Sequence, residues 1–395
     1  MPSAARPTCA RGPAPSSRSV RRASRVRNAR LDALTLHDFR NISAARLELP
    51  PEGIALVGEN GQGKTNAVEA IAYLRLLRSL RGARDRDLIR FGAPAFHIAA
   101  ELGNLPAMRV TVGVDRAGRK KVTLDGAEPE KITDALDALP SVSFSPRDVD
   151  LIAGAPAERR RYLDITLALT SPAYLNALRR YRAALLRRNA ALRDASRKGA
   201  GRSLVSAVAA WEPALAEQGA VLVRARREWA RAHAARFAEL SAAIGETQPA
   251  ALEYAGSAVD ADDPQAELLA QLERQREQDL RRCLTHAGPH RDDLVLRLDT
   301  HDLRQVGSAG QQRTAAIVLR MLESATHREA TGVIPALLLD DPFAELDRRR
   351  TARILALLEE EGVGQCVLCV PREDEIPPQF TRLARWSVRA GTFTP

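Results

Sequence analysis

No run of about 18 uninterrupted apolar residues occurs in the chain, so it offers no candidate transmembrane helix. Cysteine is scarce as well. Cys9, Cys283, Cys366 and Cys369 cannot make a disulfide framework for 395 residues, which suits a reducing compartment. Aromatic side chains are only 4% of the sequence, too few for a series of base-stacking platforms. There is no internal repeat and no sustained heptad, which excludes a solenoid and a long coiled coil. Residues 1–30 contain no acid and no Lys, but eight Arg among Pro, Ser and Ala without apolar periodicity, and are expected to be a disordered extension. That segment reads as a dispensable extension or misassigned start, as a nucleic-acid tether, or as a targeting sequence; it lacks the apolar stretch of a secretory signal. It also carries most of the formal charge of +10, because the 51 other basic residues nearly balance all 49 acids.

What the chain does have is apolar content, 45%, enough for a sizeable core. Its length favours two units or one unit with a large insertion. From Leu31 to about Leu151 the pattern is strand-rich, with a hairpin over Val110–Val114 and Lys121–Leu124. From about Pro172 to Gly245, Ala, Leu and Arg dominate, with Leu178, Tyr181, Leu185 and Leu192 at helical spacing and a Gly/Ser break near 199–203. Two long helices packed as a hairpin are expected, then one more over about Gln265–Leu284. Strands return from Leu294. The expected organisation is therefore an extension (1–30), two halves of one α/β head (31–153 and 285–395), and a mainly α-helical lobe (154–284) splitting them.

The halves carry complementary pieces of one nucleotide site. Gly58-Glu59-Asn60-Gly61-Gln62-Gly63-Lys64-Thr65 fits G-x-x-x-x-G-K-[ST]: glycines let the backbone wrap phosphate, Lys64 reaches the β/γ oxygens, and the Thr65 hydroxyl holds Mg²⁺. It follows an apolar strand (Ile54–Val57) and opens a helical stretch (Asn66–Leu77), the context a phosphate loop requires. Leu337–Asp341 is an apolar run ending in carboxylates, as expected of a buried strand delivering Asp340 to the same Mg²⁺. By position, Asp340 acts on the metal through water, and Asp341 orients the attacking water as the catalytic carboxylate, with Lys64. ATP or GTP is the expected ligand.

A third string narrows the class. Gly307-Ser308-Ala309-Gly310-Gln311 precedes the carboxylate strand and opens a helix, where the Ser308 hydroxyl and the Gly310 N–H favour an anion. In ATP-binding-cassette ATPases such a helix end caps the γ-phosphate held by the opposite subunit. One chain would then hold two half-sites, and ATP would join two copies about a two-fold axis. The fold class expected is an α/β ATP-binding-cassette-type ATPase head, a mixed sheet with a P-loop.

Charge in the helical lobe is lopsided. Residues 154–202 carry twelve basic side chains against Glu158, Asp164 and Asp194, whereas residues 203–282 hold nine Arg against thirteen acids. A basic stripe on one arm fits phosphate-backbone contact with DNA, with Arg179, Arg180, Arg187 and Arg188 as candidates. A solvated helix face is the plainer explanation.

The chain resembles the RecF family of bacterial DNA replication and repair ATPases, related to the heads of structural-maintenance-of-chromosomes proteins. The resemblance covers roughly Leu31 to the C-terminus. It rests on Phe39-Arg40-Asn41, Gly58 to Asn66, Phe144-Ser145-Pro146-Arg147-Asp148, Gly154 to Asp164, Gly288-Pro289-His290-Arg291-Asp292-Asp293, the Ser308 string and Leu339 to Asp347. It implies a cytoplasmic protein that binds ATP and DNA at single-strand gaps or junctions, dimerises with ATP and hydrolyses it slowly. It implies cooperation with RecO and RecR mediators in loading recombinase, and roles in replication restart and the SOS response. Arg40 and Asn41 are implied nucleotide contacts, with Asn66, Ser308, Gly310 and Gln311. Asp341, where wider relatives carry Glu, has a shorter arm and implies slow turnover. Ala344 stands in place of a small hydroxyl residue, and Cys369 in place of a Ser or Thr that would sense the γ-phosphate.

Other readings compete. Cys366-Val367-Leu368-Cys369 matches C-x-x-C, yet residues three apart on a strand face opposite sides, so core packing is the default. His286, His290, Asp292 and Asp293 fit no metal-site spacing and read as a structural loop near the nucleotide. The ATPase subunit of a membrane transporter shares the phosphate loop, signature and carboxylate strand, but predicts a short helical subdomain. An ATP-gated nuclease needs an added metal site. A DNA clamp that scarcely hydrolyses ATP grades into the favoured reading.

Overall fold

The computed structural model describes residues 27–395 apart from 107, 200, 201, 344, 345 and 363. The Arg-rich stretch 1–26 and Ala344 thus lie outside the described residues. The expected extension ends earlier than residue 30: Arg27–Asn28 is a strand paired in parallel with Val333–Ile334, and Arg30 already begins the first long strand.

Two sheets enclose the helix that follows the phosphate loop. The first is antiparallel, in the order Ile42–Glu48, Arg30–Phe39, Ala95–Gly103, Arg109–Asp115, Lys120–Leu124. Its last two strands are the expected hairpin, with Val112 opposite Val122. The second runs Thr392–Thr394, Ala384–Arg389, Gly53–Val57, Cys366–Val370, Ala336–Asp340, Ser141–Phe144, and is parallel except for the C-terminal hairpin. Parallel strands covered on both faces need apolar residues at every position, which is why Leu337, Leu338 and Leu339 follow without alternation. Leu338, Val367, Cys369, Ile54 and Leu56 join one core; Leu337, Leu339, Cys366, Leu368 and Ala55 join the other. Cys366 and Cys369 are thereby separated by the sheet, as core residues.

The P-loop helix, Lys64–Leu76, has 11 of its 13 residues buried, because it is clasped between the sheets. Burying each of its large aliphatic side chains contributes roughly 1.5–3 kcal/mol. The helix ends where Leu77 takes a left-handed conformation, φ 51.

The lobe is built on Pro156–Thr170, Pro172–Lys198, Arg202–Ala209, Glu212–Ile244 and Pro264–Arg282. Ser171 caps the second through Tyr174 N and Asp263 caps the last through Gln265 N, both before Pro in the first turn. The lobe is not purely helical over 154–284. Ala250–Ala255 is a strand lying antiparallel to Asp293–Leu298, which continues to His301–Asp302. Ala-Ala-Leu-Glu-Tyr-Ala has helix-favouring composition, and a partner some forty residues on overrides it.

Candidate nucleotide site

The buried strand Gly53–Val57 delivers Gly58 to the carboxyl end of the parallel sheet. There the chain turns through Gly61 (φ 82) and Gly63 (φ 117). A Cβ on Gly63 would lie 2.9 Å from Asn41 Oδ1, so conformation and space both require glycine. The loop is braced from outside. Asn41 Nδ2 donates to Gln62 O (3.2 Å), Asn66 Nδ2 donates to Asn41 Oδ1 (2.8 Å), and the N–H groups of Ala390 and Gly391 donate to the Gln62 side chain and carbonyl, both at 2.7 Å. Lys64 is buried, its ammonium donating to Gly58 O and, at 2.9 Å, to Glu59 O. Glu59 and Asn60 are exposed at the loop tip.

The distant carboxylate strand meets this loop directly. Thr65 Oγ1 donates to Asp340 Oδ1 at 3.0 Å. Burial raises the Asp340 carboxyl above its ordinary range, the Thr65 hydrogen bond and the Arg81 and Lys64 charges oppose the rise, and the neighbouring Asp341 adds to it. A carboxylate whose charge is disfavoured, beside a hydroxyl, is a donor set that a hard cation would complete. Among the described residues no group of three or more His, Cys, Asp or Glu could hold a metal alone. Mg²⁺ bound by one carboxylate, a hydroxyl and substrate phosphates fits that sparseness. Asp341 follows the strand with φ 48, and its carbonyl accepts from Arg313 Nη2 at 3.3 Å. Asn60, Gly61, Gly63, Lys64, Thr65, Asn66, Asp340 and Asp341 line one cleft of about 390 Å³.

Three further residues line it: Arg81, Pro146 and Pro371. Pro146 belongs to the Phe144–Asp148 string. Nothing in composition or spacing marks Arg81, beyond its place in the turn after the P-loop helix. Cys369 is fully buried beside Asp340 on the adjacent strand, and burial pushes its thiol well up, so it presents a neutral group.

Some expected contacts lie elsewhere. Arg40 is not among the cleft residues; its guanidinium pairs with Glu69 through Nε (3.0 Å) and Nη2 (3.1 Å). Glu69 is almost wholly buried and draws the nearest cation, so Arg40 braces the P-loop helix. Ser308 caps the helix Ala309–Thr331 in a reciprocal box: its Oγ accepts from Gln311 N (3.3 Å) and Gln311 Oε1 accepts from Ser308 N (2.9 Å). Ser308 is exposed, Gly310 half-buried, and neither these nor Gln311 line the cleft of their own chain. The helix starts at Ala309, within the Gly307–Gln311 string, and runs to Thr331.

The DNA candidates divide. Arg179, Arg180 and Arg187 are exposed on Pro172–Lys198, with the Arg187 guanidinium 5.0 Å from the Trp211 ring. Arg188 corrects the expectation. It is fully buried, donating to Asp279 (2.6 Å), Glu212 (2.8 Å) and Thr285 (2.8 Å), because one helical step turns it inward. Arg159 likewise belongs to the interior, bidentate to Asp293 at 2.8 Å.

The Gly288–Asp293 loop does not border the nucleotide cleft. It is a hub of the lobe: Tyr181 Oη meets His290 Nδ1 at 2.6 Å, Arg226 donates to Pro289 O at 2.7 Å, and Tyr254 donates to Asp292 at 2.5 Å. Burial holds His290 down to about 4.

Phosphate loop, carboxylate strand and outlying capped helix define an ATP-binding, ATPase-type head. A family model described as the RecF/RecN/SMC N terminal domain matches residues 30–386. The DNA replication and repair protein RecF of an Anaeromyxobacter species is 39% identical over 376 residues, covering 93% of this chain and 99% of the relative. RecF of Salinibacter ruber is 35% identical over 356 residues, 88% of this chain and 86% of the relative. The solved recombination mediator protein RecF-ATP of the RecFOR pathway has TM-score 0.83 at 25% identity, over 94% of this chain and 99% of that one. An Smc head domain from Pyrococcus furiosus, 18% identical with TM-score 0.53, shares the fold over 93% of this chain and 95% of that one. The chain belongs to the RecF family.

Proposed function

We propose that this chain is a cytoplasmic, ATP-dependent DNA-binding protein of recombinational repair and replication restart. ATP closes two copies into a dimer on DNA at single-strand gaps or junctions, where RecR and RecO mediators help load recombinase and so permit SOS induction. Hydrolysis is slow and DNA-dependent. The family and its relatives named for DNA replication and repair support this reading.

One observation carries the dimer. Thr65 and Asp340 meet at 3.0 Å within a single chain, while the Ser308 helix end stands exposed and outside that cleft. A helix N-terminus attracts anions, and a second copy can bring this one to the γ-phosphate. Lys64 neutralises the β/γ oxygens, the phosphate-loop N–H groups orient them, and Asp341 positions the attacking water. Thr65 and Asp340 would hold Mg²⁺, which when bound would supply charge neutralisation on the phosphates. Arg179, Arg180 and Arg187 contact the DNA backbone.

Sedimentation velocity with and without ATP, repeated on gapped DNA, tests the proposal. Wild type should shift from monomer to dimer with ATP. Lys64→Met should stay monomeric through lost binding, and Ser308→Arg should stay monomeric while still binding ATP. A monomer in every condition would refute the dimer.

A further inference from the structure

The segment after the P-loop helix ends in the turn Arg90-Phe91-Gly92, where the Phe91 ring is 99% exposed. The backbone under it is firmly held. Arg90 N donates to Asp38 O (2.8 Å), Ala93 N donates to Arg90 O (3.0 Å), and Gly92 takes φ 83. Arg116, from the neighbouring hairpin, donates to Ala93 O (2.8 Å) and Arg90 O (3.1 Å), and Arg90 Nε pairs with Asp38 at 2.6 Å. The ring is therefore presented at a fixed place, and a rigid aromatic stacks without a large ordering cost.

Its surroundings select the partner. Exposed Arg84 and Arg86 precede the turn in the same segment, exposed Arg116 bonds to its backbone, and Arg119 and Lys121 are exposed further along that hairpin, with Lys120 half-buried between them. The carboxylates here, Asp38, Asp85, Asp87, Asp115 and Glu128, are fewer; they pair with Arg90, Lys120, Arg86, Arg119 and Lys121 in turn, which leaves Arg84 and Arg116 without a carboxylate partner among the described residues. A bare aromatic plane inside a cationic surround matches an unstacked base flanked by phosphates, and every base has a face that stacks. An apolar protein groove would not call for that charge.

The turn is also tied to the nucleotide loop. Arg40 N donates to Leu88 O (2.7 Å) and Arg40 Nη1 to Asp87 O (3.4 Å), while the adjacent Asn41 holds Gln62 O. We propose that Phe91 is a stacking contact for a base of single-stranded DNA, and that Arg40–Asn41 links its occupancy to the phosphate loop. The proposal rests on the DNA-binding reading above and assigns part of that interaction to a surface away from the helical lobe.

Fluorescence anisotropy of the full chain with ATP, on oligo-dT, gapped duplex and blunt duplex, provides the test. Phe91→Ala should weaken binding to oligo-dT and gapped DNA roughly 5- to 100-fold. It should leave blunt duplex within about twofold, and Phe91→Trp should bind as wild type. Arg84→Ala should weaken all three and lower the salt slope by about one. Phe91→Ala should also lose DNA stimulation of phosphate release while the rate without DNA persists. Because the ring is exposed, its thermal midpoint should match wild type. If wild type binds these DNAs and Phe91→Ala binds them equally well, this proposal fails and the DNA-binding reading stands. If wild type binds none of them, both fail. Loss of a protein partner by Phe91→Ala with DNA binding intact would overturn it in favour of a protein-docking turn.

Discussion

Arg187 rests against Trp211 in solvent, whereas Arg188, one position on, is enclosed by Glu212, Asp279 and Thr285. Removing Arg188 would strand two buried carboxylates, so Arg188→Ala should cost about 3–5 kcal/mol in urea unfolding. Arg180→Ala should stay within about 0.5 kcal/mol yet reduce the salt dependence of DNA binding. Charge counting could not separate these residues, because all share one basic run and only the helical phase against a partner about ninety residues away decides. That the glycine-rich loop and Asp340 would share one cleft was legible for the opposite reason: glycine spacing followed by a Lys and a Thr marks that backbone locally. Asp341→Asn should lower phosphate release at least about 100-fold with ATP binding and dimerisation retained; unchanged turnover would remove Asp341 from the mechanism. Asp340, raised first of all by burial, protonates from a higher pH than an ordinary carboxyl. MgATP affinity measured by calorimetry should therefore begin to fall, on acidification, above the usual carboxylate range, and Asp340→Asn should give a weak, flat profile.

Among the elements, the P-loop and Ser308 helices are joined by charge. Arg75 Nη1 meets Glu323 at 2.5 Å, and Arg320 bridges Glu323 (2.7 Å) and Asp148 (2.7 Å) beside a cavity of about 480 Å³. Burial alone would raise Glu323, but Arg75 and Arg320 outweigh it and hold the carboxyl below its usual range. This contact was not legible, since its members sit in three separate segments. His290 gives a second acid-sensitive point. Its folded value of about 4 lies below the ordinary 6.5, so the unfolded chain takes up the proton first. The His290 contribution to stability is full above pH 6.5 and is lost as pH falls towards 4, amounting to roughly 1–3 kcal/mol. Urea midpoints measured across that window should slope less steeply for His290→Asn.

At the scale of the molecule, the order of phosphate loop, helical lobe, Ser308 string and carboxylate strand was readable because each motif has a local signal. The strand Ala250–Ala255 was not, because short Ala-rich segments take their conformation from what they pair with. Its six-residue ladder to Asp293–Leu298 means that the helical lobe has no clean seam with the C-terminal half. Excision at 154 and 284 would bare the edge of Ala250–Ala255 on one fragment and of Asp293–Leu298 on the other, each a template for aggregation. The isolated lobe should therefore precipitate or self-associate on expression, and a dissection that respects the ladder would have to carry the chain through at least Asp302.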